Sequence, residues 1–244
     1  MGRNLLGLLA LGASLFATPV WADERVDLEL VLLADASGSI DDEEILFQRQ
    51  GYADAITHPE ILAAIASGYD QRIAVTYVEW GNEHSQEIVV PWSIIDGPES
   101  AAVFAKALVS TPRLAVGFNA IGSAIAVGHA LIEADDIQGH RKVIDFSGDS
   151  ANNWGGIPIE VARAAALADD ITINGLAILC PGCNGRPVTY DLEAAYVDLI
   201  IGGPGSFVIT ADGRDSFATA VRRKLLLEIA NKTPEDHLAA RAPH

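Results

Sequence analysis

The sequence predicts an α/β chain: a doubly wound, mostly parallel sheet with helices on both faces and one antiparallel edge strand. Three observations predict it. Strand-like apolar runs alternate with helix-like segments along nearly the whole chain, the pattern of successive βα units. Residues 28–34 are apolar except for Glu29, as in a strand covered on both faces. Residues 81–86, opening with the polar turn Gly81-Asn82-Glu83-His84, are all that separates the runs at 72–80 and 87–95, too short for a crossover, so that pair is expected to be antiparallel.

The first 22 residues read as a signal peptide. Arg3 gives a positive start, 5–16 is an apolar core, and Val20-Trp21-Ala22 ends it with an acceptable cleavage pattern. One domain is then expected over 23–234, with a C-terminal tail at 235–244. No later stretch is a candidate membrane span, so the expected product is exported, periplasmic or secreted, and not inserted in a membrane after cleavage. With 244 residues and a 50% hydrophobic composition the chain has ample material for a core. Its net charge of −17 argues against nucleic acid and anionic membrane as partners, since both would repel it.

After the strand at 28–35, Asp41 is placed to cap a helix with Glu44 as its box partner, and the acids of the first turn complement the helix dipole. That helix runs to about Ile56. A short helix follows at 61–66, then the antiparallel pair, in which Glu79 is expected at the rim. Helices are predicted at 100–108 and from about Gly117 to Glu133. A buried strand at 141–147 carries Asp145, costly there unless paired. Next come a helix at 159–168, a strand at 171–179, a helix at 191–201, a short strand at 206–210, and a final helix whose Arg222-Arg223-Lys224 face is expected to be solvated. Cys180 and Cys183 are the only cysteines, and in an exported protein a small disulfide-closed loop is expected.

The strand at 28–35 ends on Asp35-Ala36-Ser37-Gly38-Ser39. One carboxylate and two hydroxyls at alternate positions are hard oxygen donors of the type Mg²⁺ takes. This stretch resembles the Asp-x-Ser-x-Ser signature of von Willebrand factor type A domains, which opens their metal-ion-dependent adhesion site (MIDAS). The resemblance extends over about residues 26–230 and is similar to an exported bacterial subgroup of unknown function. It implies a Rossmann-like fold and a Mg²⁺ or Mn²⁺ site with Ser37 and Ser39 as direct ligands, and Asp35 and Asp149 direct or through water. Asn119 stands where the family's threonine belongs. Its carbonyl oxygen can ligate a hard cation, but Asn is also a favoured helix cap; Ser123 lies a turn further in. Asp149, in Ser147-Gly148-Asp149-Ser150, resembles the family's third metal loop.

The function so implied is metal-dependent protein binding, a partner's acidic residue completing the coordination, without turnover. Two alternatives stand beside it. A metal-dependent phosphoesterase-type hydrolase would place an aspartate after the first strand, but position 37 is serine where such enzymes resemble Asp-x-Asp. A structural domain with an empty site would be consistent with Asn119 replacing threonine. Sequences of the Gly-x-Ser-x-Gly type are absent, which argues against a serine hydrolase.

Overall fold

The computed structural model describes residues 24–179 and 189–235. The order is β1 (Glu24–Val26), β2 (Leu28–Asp35), α1 (Asp42–Ile56), α2 (Pro59–Ala66), β3 (Ile73–Trp80), β4 (Gln86–Ile95), α3 (Pro98–Ser110) and α4 (Ile121–Glu133). There follow β5 (Ile137–Gly139), β6 (Lys142–Gly148), α5 (Ile159–Ala168), β7 (Ile171–Ile178), α6 (Leu192–Leu199), β8 (Val208–Ala211) and α7 (Arg214–Ile229). The main sheet has six strands in the order β4-β3-β2-β6-β7-β8. All neighbours are parallel except β3 and β4, so the expected edge strand is β4. The predicted signal peptide and the Cys180–Cys183 pair lie outside the described residues.

Every residue of β2 is buried because both faces of the sheet are covered. Leu28, Leu30 and Leu32 face one cluster with Tyr52 of α1, Ile61 of α2, Phe104 of α3 and Phe217 of α7. Val31 and Leu33 face the other, with Ile125 of α4, Ala162 of α5 and Tyr196 of α6. Side chains alternate in direction along a strand, so a central strand between two helical layers must be apolar at nearly every position.

Asp41 caps α1 as expected: the Glu44 amide donates to its carboxylate at 2.9 Å and the Asp41 amide donates back to Glu44 at 2.9 Å. The His58 ring accepts from the Glu60 amide at 3.2 Å and opens α2, with Pro59 in its first turn. A two-stranded parallel ladder, β1 with β5, was not anticipated, because three-residue strands carry too little periodicity to register.

Two charged residues take positions other than those expected. Glu79 is buried, not at the rim, and meets the guanidinium of Arg49 at 2.7 Å. Lys224 is fully buried, not solvated, and bridges Asp145 at 2.7 Å and Glu228 at 2.6 Å. The Asn174 amide also donates to Glu228, at 2.9 Å. Asp145 thus finds its partner on α7. Such buried charges are tolerated only when paired, which the apolar surroundings enforce.

Candidate metal centre

The loops after β2 and β6 and the loop before α4 meet at the carboxyl edge of the sheet, where sites form in open α/β sheets. Their floor is aromatic: Trp80 stacks on Phe146 with ring centroids 5.0 Å apart, and Tyr196 lies 5.8 Å from Phe146. The Tyr196 hydroxyl donates to the Gly148 carbonyl at 2.8 Å. Gly148 gives close approach here: a Cβ would lie 3.0 Å from Asp35 Oδ2 and 3.1 Å from both Trp80 and Tyr196, so those neighbours would have to shift by a few tenths of an ångström.

Asp35 is buried on this floor. Its Oδ1 accepts from the Ser37 amide at 2.8 Å, while its Oδ2 is buried without a hydrogen-bond partner. Burial first, and then the neighbouring Asp149 carboxylate, push Asp35 up to about 7. Asp149 is half-buried; burial raises it too, opposed by a hydrogen bond from the Ser39 hydroxyl. The Ser37 and Ser39 hydroxyls are 3.2 Å apart. Four of the five residues singled out from the sequence are therefore in mutual contact.

Asn119, the fifth, lines the same cavity as Ser39 and Asp149, of about 480 Å³. It does not cap α4: Ala120 occupies the cap position, and the Asn153 side chain accepts from the Gly122 amide at 3.3 Å instead. Ser123 is taken up structurally, accepting from the Ile157 amide at 3.2 Å. Two carboxylates and two hydroxyls crowd together, and among the described residues no Lys, Arg or His side chain lines the cavity. Such a set lacks positive charge, and a hard divalent cation fits it.

Sequence reasoning missed the residue that shapes the first loop. Arg113, in the segment before α4, donates to the carbonyls of Ala36 at 2.6 Å, Ser37 at 3.2 Å and Ile40 at 2.9 Å. It also reaches Ala115 O at 3.0 Å and the Asp42 carboxylate at 3.2 Å, so each of its five N–H donors is matched. Its own segment is held from the other side: Arg49 donates to the carbonyls of Leu108, Thr111 and Pro112, and the Leu114 amide donates to Glu79. The loops are tied further by Gly38 N to Gly117 O at 2.7 Å, Gly117 having a φ of +101° that favours glycine. No local pattern marks a lone arginine in a loop as such a clamp.

A different donor group, Asp27, Asp70 and His140, has atoms within 4.8 Å of one another. Its groups are already engaged. Asp27 accepts from the amides of Tyr69, Asp70 and Arg72, and Asp70 meets His140 at 2.8 Å.

The six-stranded sheet, its helical layers and the three loops at its carboxyl edge define a von Willebrand factor type A fold. The chain belongs to the family described as "Protein of unknown function (DUF1194)", whose model matches residues 25–233. No curated protein matches the sequence. Among solved structures, the open conformation of the pilus adhesin SpaC from Lactobacillus rhamnosus GG is similar at a TM-score of 0.60 and 15% identity, covering 86% of this chain and 31% of the adhesin. Proximal thread matrix protein 1 from the mussel byssus, in a structure described as having a zinc-occupied MIDAS motif, gives 0.58 and 16%, with 85% and 49% covered. The von Willebrand factor domain of the type V pili tip protein Mfa5 from Porphyromonas gingivalis gives 0.52 and 8%, with 90% and 98% covered. The chain spans about a third of the adhesin's length and about half of the byssus protein's.

Proposed function

We propose that this domain is an exported, divalent-metal-dependent adhesion-type module. Mg²⁺ or Mn²⁺ is held by the hydroxyls of Ser37 and Ser39, with Asp35 and Asp149 direct or through water and Asn119 in the threonine's place. A carboxylate from a protein partner takes the remaining position. The observation that carries this is the buried, unpartnered Oδ2 of Asp35 beside the Asp149 carboxylate. A fold that keeps two acids together over an aromatic floor, with no basic side chain among the described residues lining the cavity, is matched to a cation from outside.

Each residue then has a defined task. The serine hydroxyls supply neutral oxygens, so few formal charges quench the cation, which stays electrophilic toward a visiting carboxylate. Asp35, held by the Ser37 amide, supplies charge from below. The Arg113 clamp fixes the loop so that little ordering is left for the moment of binding.

Similarity in fold to adhesin and matrix proteins supports the adhesion reading. Export rests on the composition of the first 22 residues; among the described residues no helix is long and apolar enough to cross a membrane. A Cys180–Cys183 disulfide belongs to the same exported setting. Mn²⁺ or Mg²⁺ titration by calorimetry of the mature protein and of Asp35→Ala is the test. Heat from the first and none from the second is expected; equal heats overturn the site. Turnover is not expected, and phosphoester hydrolysis abolished by Asp35→Asn would replace this reading with an enzyme.

A further inference from the structure

Three aromatic rings surround the mouth of this cavity. Phe118 is 78% exposed, Trp154 73% and Tyr190 37%, and all line it together with Ser39, Asn119 and Asp149. They come from separate segments, each bonded to a neighbouring loop. The Trp154 amide donates to the Asn119 carbonyl at 2.7 Å. The Tyr190 hydroxyl accepts from the Ala151 amide at 2.9 Å. Phe118 lies between Asn119 and Gly117, whose carbonyl receives the Gly38 amide. Burial of such a ring is favourable, and the fold leaves Phe118 and Trp154 largely in water. Exposed, backbone-anchored aromatics around a pocket are what binding hot spots are made of.

Charge selects the occupant. The described residues lining the cavity carry the Asp149 carboxylate and no basic side chain, so among them the cation is what attracts a carboxylate. The chain's net charge of −17 repels polyanions and draws in basic partners. A polyuronate would bring repeated charges into that field, and a neutral glycan has no anion for the cation. We propose that the ligand is a net-basic polypeptide segment in which one Asp or Glu sits beside a bulky apolar side chain. The carboxylate goes to the cation, and the apolar side chain packs against Phe118 and Trp154. This rests on the metal-site reading above.

The test is selection from a random peptide display library on the mature protein with Mn²⁺, eluted by EDTA. Fluorescence anisotropy of the enriched peptides follows, with calorimetric Mn²⁺ titration of each variant. Enriched peptides are expected to carry one acid, a large apolar neighbour and a surplus of Lys or Arg. Trp154→Ser and Phe118→Ser should each weaken them about tenfold and leave Mn²⁺ affinity within about twofold. Polyacidic enriched sequences, ring variants that bind as tightly as the parent, or an oligogalacturonate that binds more tightly than the peptides would each overturn the proposal. So would Mn²⁺ binding with no EDTA-eluted peptide, which leaves the metal site standing. Absence of Mn²⁺ binding to the parent protein removes both.

Discussion

The guanidinium of Arg113 donates to the carbonyl of Ala36 at 2.6 Å, joining the segment before α4 to the loop that carries Asp35, Ser37 and Ser39. Two hydroxyls cannot hold a geometry by themselves, since each rides on its own backbone. The clamp sets that backbone through the carbonyls of Ala36, Ser37 and Ile40.

Arg113→Ala should therefore weaken Mn²⁺ binding by about tenfold or more and lower stability by about 1.5–3 kcal/mol, the range for hydrogen bonds from a charged donor. Arg113→Lys should recover little of the affinity, because a point charge cannot span the fork. Calorimetry and urea unfolding check the two effects.

Asp35→Asn separates the acid's cost from its use. In EDTA the variant should melt at a higher temperature than the parent, since a buried charge beside Asp149 has been removed. With saturating Mn²⁺ the order should reverse: at a hundred times the dissociation constant a bound ion adds about 2.7 kcal/mol, which the variant forgoes. Thermal melts in the two buffers decide it.

Stability should fall with pH through Glu29. This buried residue accepts from the Gly139 amide, and its other oxygen has no partner. Burial, with the Asp135 and Glu133 carboxylates adding to it, pushes it up from 4.5 to about 7. The folded state thus holds a proton that the unfolded chain releases. The contribution is complete below about pH 4.5 and is lost as pH rises to about 7. Glu29→Gln should be more stable than the parent at pH 8, and the gap should close at pH 4, as measured by urea midpoints.

Lys224→Met strands Asp145 and Glu228 in the interior and should cost about 3–5 kcal/mol. Adding Asp145→Asn and Glu228→Gln in the same chain should return part of that loss. If the single variant unfolds at the parent's midpoint, the ion pairs do not hold α7 to β6.

How much was legible follows from where the information lies. The course of β2, the Asp41 cap and the antiparallel edge are written in periodicity, spacing and short turns, so local reading reaches them. Asp35, Ser37, Ser39 and Asp149 were legible because strand ends of a parallel sheet share one edge. The partners of Glu79 and Lys224 were not: Arg49 lies 30 residues from Glu79, and an isolated charge does not reveal which distant side chain will neutralise it. The Arg113 clamp is still less visible, because its acceptors are carbonyls, which every residue has. Asn119 was read as ligand or cap, and the structure removes the cap.

The first described strand pairs with β5, and Arg141, just before β6, donates to the carbonyls of Glu228 and Ile229 that finish the last helix. Both ends of the described chain thus lie by the amino ends of β2 and β6, while Trp154 and Phe118 line the cavity at the carboxyl edge. The described termini, Glu24 and Glu235, therefore lie away from the loops that carry Asp35 and Asp149, and a tether joined at either of them would leave those loops free.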